Sequence, residues 1–484
     1  MSRNERAHRG IALLRRLRNR TQSGQFLTEG ATYIAIDVVQ HVAALATIPA
    51  VFLSLSAAQL GVITSALVVS NFASLSNVGL DFAVIRQYYQ FGEDQRSEIV
   101  GVAVKGTLAV SAIVAFGSAC LFLYAGAAIL PWTLGIMTGA LSAARAVPFA
   151  LFRVRGELGR YAALMIGTAW LQAIAQIASL MLGLGVLGFL GAAAAMAALS
   201  TGASYIGLRS QMRTDLPWSR IFHHQTVTYA LNVFPSVCLN RLLIFADRLA
   251  LMAWSDFDSL GLYGAATRFS TPMKLVSSGL KMALAPAISR QENPAETAPR
   301  ATMSAMTFAM VSTTLALGVL VLMFGHVAAL TPWKDHVPQL LQILTLLIAA
   351  QILGGVAALL QVQVLFSSRP GAATITTAAQ GIALAGALVT LVPAAQELGA
   401  AFAELFAAVV GVIVTALTVS RVARRSAGPV SLWVLIGSFA PAAIAPWVMP
   451  PSGQLTLWAV LLLAYLGVLG RTLAHEFHGP SVSA

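Results

Sequence analysis

Two stretches that lie 200 residues apart indicate the architecture of the chain. Residues 59–80 read QLGVITSALVVSNFASLSNVGL, and residues 259–280 read SLGLYGAATRFSTPMKLVSSGL. Each is apolar over about 20 residues, the length of helix that crosses the hydrocarbon core of a membrane. Aligned without gaps, residues 28–83 and 228–283 are identical at eleven of 56 positions. The sequence therefore predicts a membrane protein that contains an internal repeat.

The composition of the whole chain agrees with this class. Of its 484 residues, 57% are hydrophobic and 10% are charged, whereas about a quarter of the residues in a soluble domain are charged. Its two cysteines exclude a disulfide-rich scaffold. The chain is predicted to be an all-α polytopic membrane protein.

The hydropathy pattern predicts about fourteen transmembrane helices. Their predicted ranges are 31–55, 59–80, 99–124, 130–152, 161–184, 186–208, 226–253, 259–285, 301–325, 339–366, 371–393, 398–420, 431–448 and 455–473. The second repeat begins six spans after the first, an even number, so both copies cross the membrane in the same direction. The repeats are then related by a pseudo-two-fold axis along the membrane normal.

This pattern predicts two six-helix lobes followed by two extra helices. The predicted segments are a basic interfacial tail at 1–30, an N-terminal lobe at 31–208, a basic linker at 209–225, a C-terminal lobe at 226–420, helices 13 and 14 at 431–473, and a tail at 474–484.

The positive charge of the chain is concentrated on one side of the predicted membrane. The net charge is +12, and 22 of the 30 lysines and arginines fall in alternate loops and the two tails, on the side that the charge bias assigns to the cytoplasm. Both termini are therefore predicted to be cytoplasmic, in the inner membrane of a bacterium. Arginines interleaved with leucines in the tail are typical of a helix on anionic lipid, so membrane lipids and not nucleic acid are the predicted partners.

Several cations lie inside predicted spans, where a charge costs about 2.5–3.5 kcal/mol at the helix centre. Arg241, Arg268 and Lys274 lie nearest the midplane, and Arg248 lies closer to the outer side. Such a cluster indicates a hydrated cavity or an anionic ligand, for which phosphate is the natural candidate. Snorkelling to the interface explains Lys105 and Lys281, whereas for Arg145 snorkelling and function both remain open.

Other polar residues in the spans complete the candidate site. The repeat places Gln40 and His41 at the positions of Asn240 and Arg241, so His41 and Asn240 are predicted to face one shared cavity. Asp37 and Asp247 are candidates for coupling to a proton or sodium ion, with ion pairing to a nearby arginine or lysine as the alternative. Hydroxyl and amide side chains at helical spacing either bind sugar hydroxyls or join helices: Asn71, Ser74, Asn77, Gln172 and Gln176.

Enzymatic motifs are absent from the sequence, and no cofactor is predicted. A membrane-embedded glycosyltransferase or polymerase would need acidic residues near an outer loop, and Asp256, Asp258, Asp335 and Glu397 are the candidates. The chain is therefore predicted not to be an enzyme.

Two stretches of the chain resemble the polysaccharide and oligosaccharide flippase family. The second repeat contains Asp247-Arg248-Leu249, the run LGLYGAA at 260–266, Pro272 and the run PAISR at 286–290. The first repeat contains Leu60-Gly61 and Gly79-Leu80, followed by Arg86, Tyr88 and Tyr89. The resemblance covers mainly residues 26–100 and 226–292.

This resemblance implies the fold of the multidrug/oligosaccharidyl-lipid/polysaccharide exporter superfamily. It further implies a substrate, a polyprenyl-pyrophosphate-linked oligosaccharide for O-antigen or exopolysaccharide synthesis, and polymerase and chain-length proteins as partners. The alternative within the same fold is a cation-coupled multidrug antiporter, in which Asp37 would exchange protons for a cationic compound.

Overall fold

The structure, a computed structural model, describes residues 35–88, 92–206, 208, 225–271, 333–365 and 372–422. Its helices are α1 (Ala35–Ser54), α2 (Ala57–Ala73), α3 (Leu80–Gln87), α4 (Glu93–Ala125), α5 (Leu130–Ala144), α6 (Ala146–Val154), α7 (Leu158–Met181), α8 (Gly185–Tyr205), α9 (Gln225–Trp254), α10 (residues 257–271), α11 (Val337–Leu365) and α12 (Ala372–Val422). The predicted basic tail, linker 209–224, helix 9 and helices 13 and 14 lie outside the described residues.

Eight of the described helical stretches are long and apolar enough to cross a membrane. Two of these, Gln95–Val154 with 60 residues and Thr374–Val419 with 46, are long enough to cross it twice. The longer would extend about 90 Å at 1.5 Å per residue, against a hydrocarbon core of about 30 Å. The chain is therefore a multi-pass α-helical membrane protein, and the total of fourteen helices stays a prediction.

Backbone breaks divide these two long stretches. Gly126, with φ of 75°, ends α4, and a short 3₁₀ turn leads into α5. Inside α12, Ala395 and Gln396 leave helical geometry, Gln396 with φ of 47°. Gly399 then packs against the backbone of Leu391, so the two halves of α12 fold back on each other. These breaks fall between the predicted spans 99–124 and 130–152, and between 371–393 and 398–420.

Close helix packing holds the N-terminal lobe together. Gly135 and Gly139, four residues apart on α5, lie against the carbonyl oxygens of Ala66 and Ser70 on α2. Small residues at this spacing let two backbones approach closely, and the resulting van der Waals packing promotes helix association in lipid. The indole N–H of Trp132 adds a hydrogen bond to the Ser65 hydroxyl at 2.9 Å.

The two lobes meet where α2 crosses α10, and this contact is reciprocal. A Cβ atom added at Gly61 would overlap the carbonyl oxygen of Phe257, and one added at Gly261 would overlap the carbonyl oxygen of Ala57. Residues 57 and 61 are the 200-residue counterparts of 257 and 261. A contact in which each patch touches its own counterpart is what a two-fold axis produces.

Both of these helices also begin in the same way. Ser56 caps α2 by accepting a hydrogen bond from the Gln59 backbone N–H, and its counterpart Asp256 caps α10 by accepting one from the Ser259 backbone N–H. The bond from Ser259 lowers the pKa of the Asp256 carboxyl. The repeat therefore extends to the residues that start each helix.

A second contact joins the lobes at the opposite end of α2, beyond its 3₁₀ extension. The hydroxyl of Thr226 on α9 donates to the Gln87 side-chain oxygen on α3 at 2.7 Å, and both residues are buried. Beside this bond, the Arg86 guanidinium lies 4.8 Å from the centre of the Tyr229 ring. We call this contact the Gln87 end and the α2–α10 crossing the Gly61 end.

Candidate substrate site

A cavity of about 570 Å³ lies between the Gly61 end and the Gln87 end, and we call it the N-lobe cavity. Its walls come from α1, α2, α7, α8 and the α5–α6 junction of the N-terminal lobe, and from α10 of the C-terminal lobe. The polar side chains that line it are Gln40, His41, Thr47, Asn71, Arg145, Thr168, Gln172, Gln176, Arg268 and Thr271. Among the described residues, its lining includes two guanidinium groups and no carboxylate.

Arg268 enters this cavity from the C-terminal lobe. Within the described part of the chain, its guanidinium has no hydrogen-bond or ion-pair partner, and it lies 5.5 Å from the centre of the Phe189 ring on α8. An arginine in an apolar helix without a carboxylate beside it carries an uncompensated charge. The structure thus places Arg268 in the lining of the N-lobe cavity, and its contact with a substrate stays a prediction.

Arg145 enters the same cavity from the N-terminal lobe, and the sequence left its role open. It sits at the break between α5 and α6, where its guanidinium donates to the Ser200 hydroxyl at 2.8 Å and lies 5.5 Å from the Phe149 ring. Arg145 is among the residues that line the cavity. The only sequence signal for it was a cation inside a predicted span.

Arg241 reaches the edge of the N-lobe cavity from α9. Its guanidinium donates to the side-chain oxygen of Asn71, which lines the cavity, at 3.3 Å. Three arginines from three different elements, Arg145, Arg241 and Arg268, therefore lie in or beside one cavity. Lys274, the remaining predicted cation, lies outside the described residues.

Arg248 belongs to a different group of side chains, outside the lining of the N-lobe cavity. Its guanidinium lies 3.5 Å from the Asp247 carboxylate, which is buried, and 5.3 Å from the Phe245 ring. The other carboxylate oxygen of Asp247 accepts a hydrogen bond from the Tyr263 hydroxyl at 2.6 Å. Asp247 thus joins α9 to α10 within the C-terminal lobe.

This group yields a stability prediction. We expect Tyr263→Phe to lower the free energy of unfolding by about 1–2 kcal/mol, because a buried carboxylate oxygen loses its donor. Thermal unfolding of the purified protein in detergent measures the change. Tyr124→Phe is the matched control, since Tyr124 is 91% exposed, and equal melting temperatures for the two variants would contradict the prediction.

His41 lines the N-lobe cavity, whereas Asp37 does not. The His41 ring nitrogen Nδ1 is 2.8 Å from the Asp37 carbonyl oxygen and 3.7 Å from its carboxylate. The structure therefore places Asp37 beside His41 on the same helix.

The predicted amides and hydroxyl divide into two groups. Asn71, Gln172 and Gln176 line the N-lobe cavity. By contrast, Ser74 donates to the backbone of Asn71, and Asn77 donates to the Asp81 carboxylate at 3.0 Å. Ser74 and Asn77 thus hold the local structure around the 3₁₀ turn that follows α2.

Two of the acidic residues considered for an enzyme have structural contacts. Asp256 caps α10, as described above, and the buried Glu397 accepts a hydrogen bond from Gln339. In the described ranges, no group of three or more His, Cys, Asp or Glu residues could hold a metal ion.

A second cavity, of about 420 Å³, lies within the C-terminal lobe between α9, α11 and α12, and we call it the C-lobe cavity. Asn240, Gln351, Thr377, Gln380 and Glu404 supply its polar side chains, and most of the remaining lining residues are glycine and alanine. The repeat predicted that Asn240 and His41 face one shared cavity. The structure separates Asn240 from His41, which lines the other cavity.

Comparison with solved structures shows which fold this is. A structure described as the lipid II flippase MurJ in an inward closed conformation matches 91% of this chain and 100% of its own, with a TM-score of 0.68 and 13% sequence identity. An inward-facing multidrug resistance MATE family transporter of the MOP superfamily matches 82% of this chain and 100% of its own, with a TM-score of 0.58 and 15% identity. The chain has the MOP transporter fold.

A third structure has the same fold. It is a MOP superfamily transporter from Pyrococcus furiosus, described as having a binding pocket of reverse polarity that suggests a different function, and it matches with a TM-score of 0.54 and 15% identity over 82% of this chain and 95% of its own. No protein-family model matches the chain, and no curated protein matches its sequence. At these identities the likeness shows the fold, and the substrate has to be argued from the cavities.

Proposed function

We propose that this protein is a flippase that moves a polyprenyl-pyrophosphate-linked oligosaccharide from the inner to the outer leaflet of a bacterial inner membrane. The observation that carries the proposal is the N-lobe cavity, into which Arg145 and Arg268 project without a carboxylate among the described lining residues. Arginine matches phosphate oxygens with paired N–H donors. Two or three arginines match the charge of a pyrophosphate.

The amides around these arginines suit the same ligand. Gln40, Gln172 and Gln176 can each donate and accept hydrogen bonds to phosphate oxygens, sugar hydroxyls or bound water. Lys274 is proposed as a further contact to the pyrophosphate. The polyprenyl chain would stay in lipid while the headgroup occupies the cavity.

Alternating access between the two lobes would carry the headgroup across the membrane. With the orientation predicted from the charge bias, the Gln87 end faces the cytoplasm and the Gly61 end faces outward. The hydrogen bond between Gln87 and Thr226 then closes the cytoplasmic entrance and has to break for the headgroup to enter.

A cross-link across this entrance tests the mechanism. In a chain with Cys120→Ser and Cys238→Ser, we expect oxidation of a Gln87→Cys, Thr226→Cys pair to abolish leaflet exchange, and a reductant to restore it. Gln87→Cys alone, treated in the same way, is the control. Full exchange by a quantitatively cross-linked protein would contradict the proposed entrance.

The alternative is a cation-coupled multidrug antiporter, and one observation favours it. Glu404 places a carboxylate in the C-lobe cavity, whose described lining contains no lysine or arginine. The arginines of the N-lobe cavity, however, would repel an organic cation there. The preference for a flippase therefore depends on which cavity takes the charged part of the substrate.

The experiment that separates the two functions is transport by the purified protein in proteoliposomes. Leaflet exchange of a fluorescent polyprenyl-pyrophosphate oligosaccharide supports the flippase, with inorganic pyrophosphate expected to compete. Uptake of a cationic dye down a proton gradient, without exchange of the lipid, would support the antiporter instead.

Polymerase and chain-length proteins of the same pathway are proposed partners, because they would use the lipid-linked unit once it reaches the outer leaflet.

A further inference from the structure

The two cavities are built from corresponding parts of the two lobes but differ in charge. Helix α1 contributes Gln40 to the N-lobe cavity, and α9, its counterpart in the repeat, contributes Asn240 to the C-lobe cavity. Arginines line the first cavity, whereas a carboxylate lines the second. A phosphate would be attracted to the first and repelled from the second.

We propose that the C-lobe cavity binds uncharged, hydroxyl-bearing sugar residues of the substrate while the N-lobe cavity binds its pyrophosphate. This proposal rests on the flippase function and adds to it a separate subsite for the glycan. The ligand class is a neutral saccharide.

The hydrogen-bonding groups of the C-lobe cavity suit sugar hydroxyls. Asn240, Gln351 and Gln380 carry primary amides, each of which can donate to one hydroxyl and accept from its neighbour. Thr377 adds a hydroxyl, and Glu404 adds a carboxylate that accepts from hydroxyl groups. The volume of about 420 Å³ lies in the range of about 300–1,000 Å³ typical of small-ligand sites.

The packing around these groups leaves room for a ligand and holds one amide in place. Gly354, Gly355 and Gly381 line the cavity, so no side chains fill it from those positions. A Cβ atom at Gly411 would lie 3.1 Å from both the side-chain oxygen and the amide carbon of Gln380. Gly411 thus allows the Gln380 side chain to lie flat against the second half of α12.

The charge of Glu404 is partly balanced from outside the cavity. Its carboxylate interacts electrostatically with Arg248, which also pairs with Asp247. Arg248 therefore contributes to this cavity through Glu404 instead of contacting the pyrophosphate. A carboxylate within the field of an arginine can accept hydrogen bonds from a neutral ligand.

The arrangement of the cavities matches the order of groups in the substrate. Two consecutive residues of α9 contact the two sites. Asn240 lines the C-lobe cavity, and Arg241 donates a hydrogen bond to Asn71, which lines the N-lobe cavity. The pyrophosphate and the first sugar of the substrate are likewise joined directly. One headgroup can therefore contact both sites around α9.

Binding to the purified full-length protein in lipid nanodiscs tests the proposal. The probes are the fluorescent polyprenyl-pyrophosphate oligosaccharide and polyprenyl pyrophosphate without sugar, each competed with inorganic pyrophosphate. We expect Gln351→Leu with Gln380→Leu to lower the preference for the sugar-bearing lipid about tenfold or more, since two hydrogen bonds are lost. Competition by pyrophosphate should be unchanged. The matched control is Gln361→Leu, on the same helix but outside the cavity lining.

The possible outcomes separate this proposal from the function on which it rests. If pyrophosphate does not compete for binding to the wild-type protein, the flippase function itself fails. If pyrophosphate competes but the double variant keeps its preference for the sugar-bearing lipid, the glycan subsite alone is wrong.

Glu404→Gln distinguishes a sugar site from a cation site. An amide accepts weaker hydrogen bonds from hydroxyls than a carboxylate does, so we expect this variant to weaken binding of the sugar-bearing lipid severalfold, without changing how binding depends on sodium or pH. The proposal would be overturned if wild-type binding depended on sodium or pH and Glu404→Gln lost both this dependence and most of its affinity for the lipid. That result would show that Glu404 holds a cation.

A second measurement covers the case in which the double variant does not fold. With Asn240→Cys in a background of Cys120→Ser and Cys238→Ser, the free oligosaccharide should slow maleimide labelling, and inorganic pyrophosphate should not. An equal rate of maleimide labelling with and without the oligosaccharide would overturn the proposal.

Discussion

Arg268→Ala is expected to reduce leaflet exchange of the polyprenyl-pyrophosphate oligosaccharide by about 30-fold or more. The guanidinium enters the N-lobe cavity from α10 and has no ion-pair partner among the described residues, so the substrate would supply its counter-charge. Removing one member of a buried, hydrogen-bonded charge pair costs about 2–5 kcal/mol, and about 1.4 kcal/mol corresponds to tenfold. The measurement is exchange in proteoliposomes at matched protein content.

Two further variants show whether charge or geometry matters at this position. Arg268→Lys keeps the charge but loses the paired N–H donors, so we expect an intermediate rate. Arg160→Ala is the control for removing an arginine, because Arg160 pairs with Glu157 and does not line the cavity. Exchange by Arg268→Ala at the rate of Arg160→Ala would rule out the proposed phosphate contact.

Arg145→Ala is expected to act in the same direction. Because Arg145 also donates to Ser200, its removal affects packing of the N-terminal lobe as well as the substrate. Thermal stability must therefore be measured alongside exchange, and a loss of exchange without a loss of stability supports the binding role.

Gly61→Leu is expected to lower the free energy of unfolding by about 3 kcal/mol or more, at the upper end of the cost of overpacking. Even a Cβ atom at this position would overlap the backbone carbonyl of Phe257, which cannot rotate away as a side chain could. The α2–α10 crossing would have to open. Thermal unfolding in detergent measures the loss.

Gly167→Leu is the matched control, because nothing lies within 4 Å of a Cβ atom at Gly167 on α7. Gly261→Leu should be as damaging as Gly61→Leu, since the contact is reciprocal. Combining Gly61→Ala with Gly261→Ala should cost less than the sum of the single changes, because both open the same crossing. Equal stability of Gly61→Leu and Gly167→Leu would contradict this account of the interface.

Local sequence was sufficient to predict the class of fold and the bounds of many helices. Apolar runs of membrane-spanning length, broken at Gly126 and near Pro393, agree with the described helix ends to within a few residues. The 200-residue repeat predicted two related halves, and Gly61 and Gly261 form one of its eleven identical pairs. These features depend on length, hydropathy and residues that start or stop a helix, all of which can be read along the chain.

The direction of each polar side chain could not be predicted in this way. In a soluble helix the apolar stripe marks the inner face, but a transmembrane helix is apolar on every side, so its sequence does not show which face meets lipid and which meets a cavity. Arg145 and Arg248 both lie in predicted spans, yet one faces the N-lobe cavity and the other pairs with Asp247.

Helix packing determined the surroundings of Arg145 and Arg248, and it also formed the C-lobe cavity. The packing of the N-terminal lobe places Arg145 beside Ser200 in the lining of the N-lobe cavity, and the position of α10 brings Tyr263 to Asp247. Asn240 and Glu404 are 164 residues apart in sequence and line one cavity because α9 packs against α12. Residues so distant in sequence meet only when the helices of the C-terminal lobe pack together. For this reason hydropathy and the repeat predicted the helices, whereas helix packing determined the sites.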